Sequence, residues 1–122
     1  MPSSLKVIKL TIFAVAVLDR AGRLRVFLQG DTASPHNLEL ARRKAYTALT
    51  FGRPSAEWAQ RTIDNPDLAP QRNLTDVIGS RGGLPIKLGN LTVGAIGVSG
   101  SSTQGDEARA QAGLDRVADQ LK

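Results

Sequence analysis

The side chains able to do chemistry are few, and they gather in three places along the chain. Asp106-Glu107 follows the glycine-rich run Gly82–Gly105 and opens the last helical segment. If that run buries either carboxylate, desolvation raises its pKa towards neutrality and makes it a general base. Acidic residues in a first helical turn are equally what the helix dipole selects. Lys44 and Arg53 are the cations able to hold a small carboxylate, Arg53 in two-pronged fashion, with ordinary surface charge as the plainer reading. Ser55 either caps a helix or turns its hydroxyl, with the free N–H groups of that helix start, towards an anion. Ser99 and Ser101 stand outside any G-x-S-x-G elbow, and the glycines fit neither a dinucleotide fingerprint nor a phosphate loop with its lysine.

Composition narrows the chemistry further. No cysteine is present, which excludes disulfides, thiolate metal sites and a cysteine nucleophile, and the lone His36 excludes a multi-histidine cage. No protein-held metal is therefore expected. The net charge of +5 favours a small anionic ligand. The excess is dispersed, with Arg42-Arg43-Lys44 the one cluster, and neither a basic stripe with stacking aromatics nor a recognition motif points to nucleic acid. Lys6 and Lys9 ahead of the apolar run Leu10–Leu18 imitate a signal peptide, but Asp19-Arg20-Ala21-Gly22-Arg23 follows in place of a small-x-small cleavage site. The run is also too short to span a bilayer. A buried strand, no membrane partner and a cytoplasmic location are the expectation.

The elements that must position these residues follow in order. Residues 7–18 are apolar on both faces, as in a central strand. After a turn at Asp19–Gly22, residues 23–29 return with Leu24, Val26 and Leu28 on one face and Arg23, Arg25 and Gln29 on the other, predicting an antiparallel hairpin. Ser34-Pro35 starts a helix to about Thr50, with Leu38, Ala41, Ala45, Ala48 and Leu49 inward, Glu39, Arg42 and Arg43 in solvent, and Gly52 closing it. A shorter helix spans residues 56–61, and residues 64–70 are too rich in turn residues to be regular. Leu74–Ile78 reads as a short strand. Leu84–Leu88 and Leu91–Ser99 form a second hairpin about Gly89-Asn90, a pair suited to a type II′ turn. Ser102 or Thr103 begins a final helix with Ala110, Leu114, Val117 and Leu121 inward. The glycines flanking and interrupting this hairpin mark close approach of a ligand or another chain, and so a site wall. The sum is one α+β domain round an antiparallel sheet of about five strands.

Several segments in this order resemble the GlcG/HbpS-like haem-binding family, which includes the C-terminal domain of PduO-type proteins. They are Lys44-Ala45-Tyr46-Thr47-Ala48, Phe51-Gly52-Arg53-Pro54-Ser55, Gly82-Gly83-Leu84-Pro85-Ile86, Val93–Gly100, and Asp106-Glu107 with Ala112-Gly113. The resemblance implies a profilin-like α/β/α arrangement, assembly into dimers or larger rings and, as in some members, haem binding. The ligand would then lie between the hairpin, with Gly82, Gly83 and Pro85, and the Lys44 to Ser55 region. His36 becomes the candidate axial ligand, because imidazole suits iron; its alternative is a solvent-facing first-turn residue. Tyr46 either ligates iron or packs its ring in the core. Such domains open with a helix, and here only about six residues precede the first strand. Residues 1–122 are thus expected to form a single domain lacking most of that helix, with one sheet face open or under a neighbouring subunit. Two other readings stand beside haem binding: a cofactor-independent enzyme for a small hydroxy or oxo acid, with Asp106 or Glu107 as base and Arg53 as clamp, and an assembly domain without catalysis.

Overall fold

The computed structural model describes residues 12–120, with side chains described through Arg116. Its elements are β1 (Ala14–Asp19), β2 (Leu24–Gln29), α1 (His36–Phe51), α2 (Ser55–Asp64), a 3-10 segment (Pro66–Asn73), β3 (Gly83–Leu88), β4 (Leu91–Ser99) and α3 (Thr103–Gln120). The four strands are all antiparallel, in the order β2-β1-β4-β3. Both expected hairpins are present, and β1 is central. The part of the expected first strand before Ile12 lies outside the described residues. In the second hairpin Leu88 pairs with Leu91, leaving Gly89-Asn90 as the loop. Gly89 has φ 60° while Asn90 is not among the positive-φ residues, the pattern of a type II′ turn.

One helix lies on each face of the sheet. On one face Ala41, Ala45 and Ala48 of α1 pack on Ala14, Ala16, Leu18 and Ala95. On the other, Ala110 and Leu114 of α3 pack with Phe13, Val15, Val17, Leu84, Ile96 and Val98. Gly83 and Gly97 are cross-strand partners beneath α1. A Cβ on Gly97 would overlap the carbonyl oxygen of Ala41, and one on Gly83 would overlap that of Lys44. Of the glycines that sequence alone reads as a ligand wall, Gly83 and Gly97 are therefore the seat of the chain's own helix, while Gly94 and Gly100 lie against backbone at Leu18 and Ile12. α1 ends as expected, with Gly52 left-handed at φ 65°.

Several expectations are corrected here. Leu74–Ile78 is not a strand: Asp76 takes φ 71°, which no strand accommodates. The segment is instead strapped to α1 by Arg42 on Asp76 (2.7 Å), Arg43 on the Val77 carbonyl (2.7 Å) and the Ile78 N–H on Thr47 Oγ1 (2.9 Å). Arg42 and Arg43 are thus partly buried anchors rather than solvated charges, and Arg42 holds the Asp76 carboxyl below its ordinary 3.8. With this segment excluded, the described sheet has four strands rather than five. Residues 66–73 are regular after all, because Asn65 accepts the Asp67 N–H and Pro66 presets the first turn. Finally, the inward stripe of α1 runs through Asn37 and Lys44, whereas Leu38 is exposed.

Strand β2 alternates as the sequence predicts from Val26 to Gln29, but a register shift opposite Val17-Leu18 interrupts the pattern before Val26, and no described residue covers its apolar positions fully. Val26 and Leu28 are 46% and 54% exposed on the α3 side of the sheet, where Val17 and Val15 are their partners, whereas Leu24, 44% exposed, pairs with Leu18 of the α1 face. Among the described residues no helix is long and apolar enough to cross a membrane.

The seat of α1 makes a stability prediction. Gly97→Ala should cost about 3 kcal/mol, because the obstructing atoms are helix backbone and cannot rotate away. Gly89→Ala, whose Cβ would meet nothing, should cost only about 1 kcal/mol for its positive φ. Urea unfolding midpoints measure both, and a Gly97→Ala loss no larger than that of Gly89→Ala would contradict this packing.

Candidate functional site

Two groups of polar residues surround the end of the sheet where β3 begins. The first is fully buried. Lys44, on the inward stripe of α1, extends past Gly82 and places its Nζ 3.0 Å from Asp106 Oδ2, with both side chains 2% exposed. It also donates to the Val98 carbonyl at 3.1 Å. The other carboxylate oxygen of Asp106 accepts the Ser101 N–H (2.9 Å) and hydroxyl (3.0 Å). A side chain on Gly82 would stand 2.9 Å from Lys44 Cδ and 2.6 Å from the Val98 oxygen, so Gly82 leaves the lysine its path. Ser55, buried at the start of α2, donates to the Ser80 carbonyl (2.7 Å) and accepts the Gly83 N–H (2.9 Å).

This cluster brings together Lys44, Ser55, Gly82, Gly83 and Asp106, but their polar atoms face one another. Asp106 accepts from three donors within the protein and is 2% exposed, which shields it from a substrate proton. Ser55 does not cap α2 with its side chain, and its hydroxyl is spent holding the 80–83 segment. Lys44 is consumed within the protein. The group is a lock between α1, β4 and α3.

The second group is open. A cleft of about 470 Å³ lies between β3 and the Gly52–Glu57 segment. Its apolar lining comes from Pro54, Leu84, Pro85 and Leu114, and its charged lining from Arg53, Glu57 and Lys87. Arg53 pairs with Glu57 one helical turn on (3.3 Å), and both remain partly exposed. Gln111 of α3 also lines this cleft and a second one of about 410 Å³, formed with Arg81, Gln104, Glu107 and Ala108. Arg53 and Pro85 thus meet in one place. Glu107 sits in the second cleft against Arg81 (Nε to Oε2, 3.3 Å).

His36 is exposed in the first turn of α1 and lines neither cleft. Tyr46 packs beside Leu18 and lines a separate depression with Gly22 and Thr92. Lys87, Glu57, Arg81 and Gln111 were not singled out in the sequence. Lys87 and Pro85 share one strand parity, and Gln111 lies four residues after Glu107, but neither spacing is distinctive without the fold. The burial of Lys44 had a clearer signal: it lies three residues after Ala41 and four before Ala48, on the alanine stripe.

A family model described as haem degrading protein HbpS-like matches residues 9–115. The chain belongs to this HbpS-like family. It is 32% identical to a doubly substituted variant of Streptomyces reticuli HbpS, with a TM-score of 0.81 over 93% of this chain and 76% of that one. The crystal structure of a PduOC–haem complex superposes with a TM-score of 0.75 over 92% of this chain and 89% of that one, at 20% identity, a similarity of fold. An uncharacterized 15.0 kDa protein of the dhaT-dhaS intergenic region of Citrobacter freundii is 28% identical over 102 residues, 82% of this chain and 72% of its own length. The α/β/α arrangement expected from the motifs is that of these structures.

Proposed function

We propose that this HbpS-like protein binds haem or a related tetrapyrrole in the cleft between β3 and Gly52–Glu57. The observation that carries the reading is the pairing of apolar walls with two rim cations. Pro54, Leu84, Pro85 and Leu114 offer a porphyrin edge the contacts it lacks in water, and Arg53 and Lys87 offer its propionates charge-assisted partners. The volume, about 470 Å³, falls within the range of small-molecule sites. The HbpS-like relationship supports the same ligand, as does the haem of the PduOC complex.

The lining fits the ring and its carboxylates better than it fits the iron. It holds no imidazole, thiolate or phenolate, and Glu57 is its one anionic oxygen donor. Bound haem would supply the redox-active iron, while the chain's part is to shield the ring and neutralise the propionates. His36 and Tyr46 have no role at this site. In a titration with haemin, the wild-type Soret band should shift and saturate at a stoichiometric ratio. The Arg53→Ala, Lys87→Ala double variant should bind about tenfold more weakly or worse, whereas His36→Ala should match the wild type. An unshifted band in the wild type, or loss of binding in His36→Ala, would overturn the assignment.

We further infer that copies of the chain associate through the uncovered face of β2. Val26 and Leu28, about half exposed on an edge strand beside Val17 and Val15, form the kind of apolar patch that a partner covers. Light scattering should give a mass above the monomer for the wild type and a lower one for Val26→Lys with Leu28→Lys. A wild type that stays monomeric at every concentration would remove the idea.

A further inference from the structure

We propose that the second cleft, built from Arg81, Gln104, Glu107, Ala108 and Gln111, is a separate site for a small carboxylate bearing further hydroxyl or carboxylate groups. The four α3 residues follow one another at positions i, i+3, i+4 and i+7, so they form one face of the helix, and Arg81 stands opposite from the segment entering β3. Its side chains carry two amides, one guanidinium, one carboxylate and one methyl group. The neighbouring cleft adds the aliphatic side chains of Pro54, Leu84, Pro85 and Leu114, which this one lacks.

The state of Arg81 indicates the ligand's charge. Its Nε is shielded from solvent and has no hydrogen-bond acceptor. Glu107 Oε2 lies 3.3 Å from it, close enough for an ion pair but out of line with the N–H. The Arg81 side chain as a whole is 40% exposed, so a ligand's carboxylate would meet its terminal N–H groups, in charge-assisted hydrogen bonds, rather than the shielded Nε–H. Gln104 and Gln111 then supply amide donors and acceptors to whatever polar groups the ligand carries beyond that carboxylate. Glu107 opposes the bound anion, because it is a like charge beside the same guanidinium. The protein's overall charge of +5 favours the anion's approach.

The test titrates citrate, malate and lactate separately into isotopically labelled full-length protein and follows the backbone amides by NMR. At least one probe should shift the amides of residues 104–111 with saturation in the millimolar range or below. Arg81→Gln should weaken that binding about tenfold, and Glu107→Gln should strengthen it by relieving repulsion. Arg53→Ala should leave carboxylate binding unchanged, and Arg81→Gln should leave haemin binding unchanged, so the failure of either site is read independently of the other. The proposal is overturned if none of the three probes shifts these amides at about 10 mM, a concentration that would occupy most of a 1 mM site. It is equally overturned if Arg81→Gln, shown to be folded by its spectrum, binds as tightly as the wild type.

Discussion

Everything around the candidate site depends on how closely α1 can lie on the sheet. Helices normally rest on sheets across a layer of side chains, but here carbonyl oxygens of Ala41 and Lys44 come down onto Gly97 and Gly83. Alanines complete the contact on both sides. The close seat has a consequence for Lys44. From a helix held this near, its side chain can pass Gly82 and reach Asp106, which lies in the first turn of the helix on the opposite face. The ion pair therefore joins the two outer layers of the fold past the end of β3.

Such a pair contributes little net stability, because the cost of removing both charges from water offsets most of their attraction. Its effect is on specificity. Once both charges are buried, any arrangement that separates them leaves an uncompensated ion, so the register of α1 against α3 is fixed. That register in turn sets the two clefts: α3 contributes Gln111 to both, the Gly52–Glu57 segment that follows α1 contributes Arg53, and Ser55 clamps that segment to the start of β3. The reactive groups are thereby sorted into two kinds. Lys44, Ser55 and Asp106 hold the frame, and Arg53, Lys87, Arg81 and Glu107 face the solvent.

Much of this architecture was legible from the sequence. Period-two and helical patterns located the strands and helices, the Gly89-Asn90 pair specified its turn, and Gly52 specified the end of α1. The glycines of β3 and β4 signalled close approach, but a sequence cannot say which chemical group approaches: at Gly83 and Gly97 it was the backbone of α1, and at Gly94 the Leu18 carbonyl of β1. The middle of the chain misled for a related reason. Val77 and Ile78 look like strand residues, yet the partners that hold them, Arg42, Arg43 and Thr47, are side chains some 30 residues away. Pairing of that kind leaves no local period. Ion pairs across the sheet are equally invisible: Lys44 and Asp106 are each ordinary in their own segment, and only the fold brings them together.

The claim that this buried pair fixes the frame is tested most directly by a double-mutant cycle on Lys44→Met and Asp106→Asn, with stability measured by urea unfolding. Each single variant leaves one buried charge without its partner and should lose about 3–5 kcal/mol. The double variant has no charge left to bury and should lose no more than the milder single, giving a coupling of at least about 3 kcal/mol. Losses that simply add in the double variant would show that the two residues act independently, and would contradict the account.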